Sequence, residues 1–396
     1  MKSRDVHKQS FQFIMLFGLV SMCGDVTYEG GRSITGPYLA LLGASATTVG
    51  LLGGLGEFVG YGFRLISGYL ADRTRAYWTI TFLGYGLLLS VPLLAYTNNW
   101  SIAAVFVLLE RFGKAVRSPA KDTMLSHATV NVGRGFGFAL HEALDQVGAI
   151  AGPLIFSAVF FLHGGYKTGF QYLWIPALLT IVFLVVARLK VPNPETLEVK
   201  PNIDEANNRS NNLPPVFWWY ITFAFISVAG FANFQIVAYH FKVQSVLNDA
   251  QIPLFYSIAM GVDAIVALIV GKLYDRKGLS VLLLLPLLTI PVSYFAFGQS
   301  LAHAIVAVIL WGSSMAIHET IMRAAIADMI PAARRGFAYG IFNTAYGFAW
   351  LLGGWAMGYL YGINIDYIIL LTAVTQLLAI IVFFWFRNSS TKITPA

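Results

Sequence analysis

The sequence predicts an all-α membrane protein of twelve transmembrane helices, arranged as two pseudo-symmetric six-helix bundles. Three observations predict it. Hydrophobic residues make up 57% of the chain and charged residues only 11%, whereas a soluble domain carries about 25% charged residues. The mean hydropathy is +0.68 over the whole length, and apolar stretches of about 20 residues, enough to cross a bilayer, recur from end to end. Features of the first half return in the second half in the same order. Long unbroken runs such as Ser280–Tyr294 exclude the short alternating segments of a β-barrel.

The expected spans are 11–32, 46–70, 77–96, 101–124, 135–162, 170–190, 216–240, 252–272, 279–298, 302–325, 337–361 and 367–386. Val191–Pro215 is the long polar stretch, read as a cytoplasmic linker between an N-terminal bundle (1–190) and a C-terminal one (216–396). With both termini on the cytoplasmic side, Arg32, Lys167 and Lys242 fall opposite, and Arg64, Arg111 and Lys114 lie within spans. The other 20 of the 26 Lys and Arg, including Lys2, Arg4 and Arg134, then fall in cytoplasmic segments. The net charge of +7 therefore belongs to membrane topology, not to nucleic acid. No cleavable signal peptide is expected, because the first apolar run is long and lacks a small-residue cleavage site. A single cysteine, Cys23, excludes an internal disulfide and a cysteine metal cluster.

The halves repeat each other. "GYLADRTR" at 68–75 closes the second span, and "GKLYDRKG" at 271–278 closes the eighth, 203 residues later. The fourth and tenth spans close with Arg117-x4-Asp122 and Arg323-x4-Asp328, and the fifth and eleventh open with "RGFGF" and "RGFAY". This is the arrangement of a duplicated six-helix transporter unit. G-x-L-x-D-R after the second and eighth spans of such a chain resembles the signature of the major facilitator superfamily, and the resemblance covers essentially the whole chain. The first copy departs from it: "TRAYW" follows Asp72-Arg73 without the usual glycine.

The resemblance implies a gating latch. Gly68 and Gly271 permit close helix approach, while Asp72 and Asp275, beside Arg73 and Arg276, lie four residues further along the same helix face. In the family the aspartate meets the N-terminal end of a neighbouring helix and pairs with an arginine. The matching arginines here are Arg117 and Arg323. Gly148-x3-Gly152-Pro153 in the fifth span resembles part of an antiporter motif, although Ala139 and Phe156-Ser157 replace its outer glycines.

Ionisable residues within spans rarely face lipid. At about 100° per residue, Asp25, Glu29 and Arg32 form one stripe on the first helix. Arg134, His141, Asp145, Gly148 and Gly152 form another on the fifth. On the fourth, Glu110, Lys114 and Arg117 align, with Arg111 a quarter turn away, and the second span adds Glu57 and Arg64. Six acids (Asp25, Glu29, Glu57, Glu110, Glu142 and Asp145) lie away from the ends of the N-terminal spans, against Asp263 and Glu319 in the C-terminal ones. The expected ion pairs are Glu110 with Lys114, and Arg111 with Glu29 or Asp145. A partly dehydrated carboxylate can load and release a proton near neutral pH. Asp25, Glu29 and Asp145 lead the proton-coupling candidates, with Glu110 and Glu142 beside them and His141 as relay.

The family's first, fourth, seventh and tenth helices line a central cavity, and on them lie Arg32, Arg111, Lys114, Asn233, Gln235, Tyr239, Trp311, His318 and Glu319. The eleventh span adds Asn343 and Tyr346, and amides with aromatics suit contact with an amphipathic organic solute. The expected activity is proton-coupled movement of a small organic solute by alternating access, most directly export by antiport, with uptake by symport as the alternative. Transition-metal transport is a further alternative, and a channel, a scramblase and a metalloenzyme built on "HEALD" (141–145) are remote ones. No G-x4-G-K-[ST] loop appears, so ATP is not the expected energy source, and no cofactor or resident metal is expected. The expected partners are solute, protons and lipid, with the chain acting as a monomer in a bacterial inner membrane.

Overall fold

The computed structural model describes residues 3–197, 213–330 and 334–390, excepting the side chains of 3–5, 134, 135, 386 and 388–390. Lys2, most of the 191–215 linker and the side chains of Arg4 and Arg134 lie outside the described residues. Helices account for nearly all of the rest, and no strand occurs among the described residues. The chain is all-α, as its composition requires: in hydrocarbon every backbone amide must bond within its own helix.

In chain order the helices are α1 (Ser3–Leu41), α2 (Ala46–Thr74) and α3 (Tyr77–Leu87, extended by Ser90–Leu93 and a 3-10 turn, Leu94–Tyr96). Then come α4 (Trp100–Thr129), α5 (Arg134–Phe161) and α6 (Tyr166–Tyr172 with Trp174–Lys190). After the linker follow α7 (Pro215–Ala229 with Phe234–Val243), α8 (Gln251–Lys277) and α9 (Leu284–Ala296, entered through a 3-10 turn, Gly278–Leu283). The last are α10 (Leu301–Ala316 with Met322–Met329), α11 (Arg335–Tyr361) and α12 (Ile365–Ser390). Nine helices among the described residues are long and apolar enough to cross a membrane, with α8 and α9 counted as one. α4 falls outside that set because it carries Glu110, Arg111, Lys114, Arg117, Lys121 and Asp122, and α11 because it is rich in Gly, Tyr and Trp.

Helix ends are set by local chemistry. Asn99 caps α4 by accepting from the Ser101 amide at 2.7 Å, and Ser300 caps α10 by accepting from the His303 amide at 3.2 Å. At the far end of α10, Arg335 donates to the carbonyls of Ala327 (2.7 Å) and Ile330 (3.0 Å). Two expectations about length are corrected. α1 does not end at residue 32 but continues to Leu41, so Arg32 is a mid-helix side chain only 9% exposed, not a boundary charge. α4 continues past 124 to Thr129.

The chain forms two compact units whose limits differ from the sequence halves. Unit 1 takes the chain through Ser33 and resumes at Phe63; unit 2 takes Ile34–Gly62 together with the described residues from 213 onward. Within unit 2, the end of α1 and the first half of α2 pack on α7 and α11. A methyl group at Gly36 would strike the Gln235 carbonyl, and one at Gly54 would strike the Trp350 carbonyl. Thr47 donates to the Gly358 carbonyl at 3.2 Å across the same seam. Within unit 1, Gly84 and Gly113 bring α3 and α4 into backbone contact, with 2.6 Å between a methyl at either and the other's carbonyl.

The two copies of the loop signature share a backbone irregularity. Arg75 and Gly278, equivalent positions in the repeat, have φ of 53° and 56°. Glycine adopts this region without penalty, whereas an L-residue is strained there. Arg75→Gly is expected to raise stability in detergent and Gly278→Ala to lower it, each by roughly 1–2 kcal/mol. Thermal unfolding of the two variants against the parent measures both signs.

Candidate functional site

Unit 1 gathers ionisable side chains from α1, α4 and α5 with Tyr85 of α3. Tyr28, 3% exposed, is their hub. Arg111 donates to the Tyr28 hydroxyl, and its guanidinium carbon lies 4.7 Å from the ring centroid. The Lys114 ammonium lies 3.9 Å from the same centroid and the Arg32 guanidinium carbon 5.9 Å. An aromatic face attracts cations, the more so when water is excluded. Carboxylates complete the arrangement: Glu29 pairs with Arg32 at 3.6 Å, and Glu110 is shared by Arg111 at 3.9 Å and Arg117 at 3.5 Å. The expected pairing of Glu110 with Lys114 is replaced by this shared one.

A second set lies along α1, α4 and α5. The Ser21 hydroxyl is 2.9 Å from His141 Nε2, and Lys121 Nζ donates to Ser21 Oγ at 3.2 Å and approaches Nε2 at 3.5 Å. An ammonium only donates, so Nε2 accepts and the ring proton sits on Nδ1. That proton faces Asp145 Oδ2 at 3.5 Å. The order is Lys121, Ser21, His141, Asp145, and Asp145 Oδ1 has no hydrogen-bond partner among the described residues. Asp145 therefore sits beside His141 and not, as one expectation had it, paired with Arg111. Gly148 and Gly152 set the spacing, since a methyl at either would strike the backbone of Met22 or Val26 on α1. Asp25 is half-buried and lies in the field of Lys114, Glu29, Lys121 and Arg117.

Other expected residues lie elsewhere. Glu142 is exposed, one residue from His141 but rotated off the polar stripe. Asp72, Arg73, Asp275 and Arg276 are exposed, whereas Arg117 is 4% exposed and held by Glu110. Among the described residues no ion pair joins Asp72 to Arg117. Gly68 meets Pro119 at ordinary contact distance, and the space around Gly271 is open. The link observed near the second signature is Tyr274 donating to Asp328 at 2.6 Å, while Arg323 is exposed and its carbonyl accepts from Tyr339. Lys121, Tyr28, Tyr85 and Ser21 were not expected. Lys121 extends the 110, 114, 117 stripe by one turn, a signal available in the sequence.

Unit 2 presents different chemistry. α7 breaks at Gly230–Ala232 and restarts at Asn233, whose side chain caps the new helix by accepting from the Ile236 amide at 3.0 Å. α10 contains a π-turn, Ile317–Ile321, which carries His318. His318, 2% exposed, stacks on Phe231 (5.0 Å between ring centroids) with Tyr346 and Trp350 around it. Trp311 donates to the Ala232 carbonyl at 2.9 Å and stacks on Phe231. Neither ring nitrogen of His318 has a hydrogen-bond partner among the described residues, nor do Asn233 Nδ2 and Gln235 Oε1. Tyr239, Glu319 and Asn343 are half-buried, and Tyr239 packs edge-on to Tyr361. Glu57 is buried and Tyr61 packs on Tyr346 at 4.9 Å. No group of three His, Cys, Asp or Glu suited to a metal ion occurs among the described residues.

Glu110→Gln leaves Arg111 and Arg117 buried without their shared carboxylate, and is expected to cost about 3–5 kcal/mol. Glu142→Gln is expected to leave the unfolding midpoint unchanged. Denaturation in detergent, followed by near-ultraviolet circular dichroism, compares the two.

The chain also resembles known proteins. Residues 22–322 match the family model described as Major Facilitator Superfamily. Uncharacterized proteins of Mycobacterium tuberculosis and Mycobacterium bovis are 40% identical over 382 residues, covering 96% of this chain and 93% of theirs. An uncharacterized transporter of the same superfamily type from Methanocaldococcus jannaschii is 26% identical over 381 residues, 92% of each chain. Among solved structures, the nucleoside transporter NupG superposes with a TM-score of 0.73 at 13% identity, over 94% of this chain and 99% of that one. A bacterial homologue of the human lysosomal transporter Spinster gives 0.72 at 13% identity, over 97% and 98%. At such identity the structures establish the fold alone. The family match and the helical architecture together make this chain a multi-pass membrane transporter of the major facilitator superfamily.

Proposed function

We propose that the protein is a proton-coupled secondary transporter that moves a small organic solute by alternating access, with export in exchange for protons as the leading mode. The observation that carries the coupling is the series of buried and half-buried groups Lys121, Ser21, His141 and Asp145, with Asp25 beside it. These groups join α1, α4 and α5 inside one unit, so a change of protonation alters the forces between three helices at once. Ionisable residues in that setting are costly and are retained for ion pathways and proton relays. In this reading Asp25, Glu29 and Asp145 bind the proton, His141 passes it, and Glu110 with Arg111 and Arg117 holds the scaffold. The duplicated halves rock as two bundles, the signature loops form the cytoplasmic gate, and the solute meets the aromatic and amide face of unit 2. The asymmetry of Lys and Arg supports both termini in the cytoplasm, and the mycobacterial relatives favour a bacterial inner membrane.

Symport is the second reading, and a specific observation favours it. Five cations (Arg32, Arg111, Lys114, Arg117 and Lys121) face four buried or half-buried acids (Asp25, Glu29, Glu110 and Asp145) in unit 1. Protonating an acid there adds to the positive surplus and strengthens the hold on an anion, which couples the two in the same direction.

Reconstituted vesicles loaded with a pH-sensitive dye test the proposal as solutes are screened for coupled proton movement. Asp25→Asn, Glu29→Gln and Asp145→Asn are each expected to flatten the pH dependence of flux while leaving a folded protein. An unchanged pH dependence in all three would remove the coupling assignment. The direction of dye response on adding solute separates exchange from cotransport.

A further inference from the structure

Lys114 stands apart from the other buried cations of unit 1. Arg32, Arg111 and Arg117 each have a carboxylate within 4.0 Å. The Lys114 ammonium makes no ion pair or hydrogen bond among the described residues, and it lies over the face of Tyr28, 3.9 Å from the ring centroid. It is half-buried, so it keeps some contact with solvent. Asp25, the acid that bears most strongly on it, is likewise without an ion pair among the described residues. Glu110 is one carboxylate serving two arginines. Three cations thus lie on Tyr28, and one of them, the Lys114 ammonium, has no acid within 4.0 Å among the described residues.

A protein that needed only to neutralise these charges would place a carboxylate against Lys114. It places an aromatic ring there instead. The ring holds the ammonium while engaging only part of its three donors, so N–H groups remain for a ligand. The Arg111 guanidinium is fixed beside it by its bond to the Tyr28 hydroxyl. Two adjacent cationic donor groups on one rigid ring suit an oxyanion with two or more oxygens.

We propose that Tyr28, Lys114 and Arg111, with Arg32 at the edge, form the subsite for an anionic group (a carboxylate, phosphate or sulfonate) of a water-soluble solute. The assignment rests on the transport reading and names the class of solute it takes. It concerns binding, so it stands or falls separately from proton coupling.

Cys23 is the one cysteine of the chain, which makes thiol labelling clean once it is replaced. In a Cys23→Ala background, Tyr28→Cys places a thiol among the three cations. Its reaction rates with sulfonatoethyl and trimethylammonioethyl methanethiosulfonate are measured in phosphatidylcholine vesicles and referred to free cysteine. The sulfonate reagent is itself a ligand of the proposed class. Its preference over the cationic reagent is expected to exceed that of free cysteine by roughly tenfold or more, with a rate that saturates as its concentration rises. Lys114→Gln and Arg111→Gln should each return the preference towards that of free cysteine. Lys114→Cys provides a second reporter should Tyr28→Cys fail to fold. A preference for the cationic reagent, a linear rate for both, or no reaction in a protein that still transports would overturn the proposal. Slower labelling in phosphatidylglycerol than in phosphatidylcholine would give the site to a lipid headgroup, and would overturn it too. If the vesicle assay shows no proton coupling while the anionic preference persists, the coupling assignment fails and the anion subsite stands.

Discussion

The pairing of charge in a low-dielectric interior is the constraint on which unit 1 depends. A single ionised group buried there is far costlier than a pair, and a pair is tolerable only with good geometry and further hydrogen bonds. Glu110 meets that condition by serving Arg111 and Arg117 together. Short-range pairing also needs helices that approach closely, and the glycines supply this. Gly148 and Gly152 press α5 onto the backbone of α1 beside the Ser21–His141 contact. Gly84 and Gly113 do the same for α3 and α4 where Arg117 lies over the Tyr85 ring at 4.8 Å. Small residues and charged residues are therefore two halves of one packing solution.

Unit 2 meets the membrane differently. Its core is aromatic, and Asn233 and His318 are polar side chains attached to breaks in helices. The interruption of α7 at Gly230–Ala232 leaves backbone groups that Asn233 and Trp311 partly satisfy. The π-turn of α10 carries His318 into a box of Phe231, Tyr346 and Trp350. A buried polar atom without a partner costs about 1–3 kcal/mol, so the orphan nitrogens of His318 mark a place where stability has been traded for something else. π-turns recur at functional sites for that reason.

Much of this was legible in the sequence. The apolar runs and the repeat gave the helical membrane architecture, and the helical period put Asp25 with Glu29 and His141 with Asp145. Particular failures have particular causes. α1 looked finished at residue 32 because charged residues end an apolar window. The i,i+3 pair of Arg32 with Glu29 instead lets the helix run on to Leu41. Glu142 looked equivalent to its neighbours by position alone, yet one residue is about 100° of rotation. The π-turn adds a single residue to one turn, a shift that no periodic pattern resolves. Lys121 was the avoidable omission, since it continues the stripe of Glu110, Lys114 and Arg117.

The duplication explains why the chemistry of the two units differs although the backbone repeats. Arg117 and Asp122 correspond to Arg323 and Asp328, an offset of 206 residues. At that offset Glu110 corresponds to Ala316, Lys114 to Thr320 and Lys121 to Ala327. Arg117 turns inward because Glu110 is there to receive it. Ala316 is fully buried and offers no charge, and Arg323 is exposed. Arg75 and Gly278 keep the same sign of φ with different side chains. A duplicated scaffold with most of its intramembrane acids and bases in one copy concentrates the ionic work there, while the other copy keeps Asp263 and Glu319 among rings and amides. Desolvation favours that division, because a buried charge is most easily tolerated among others that can offset it.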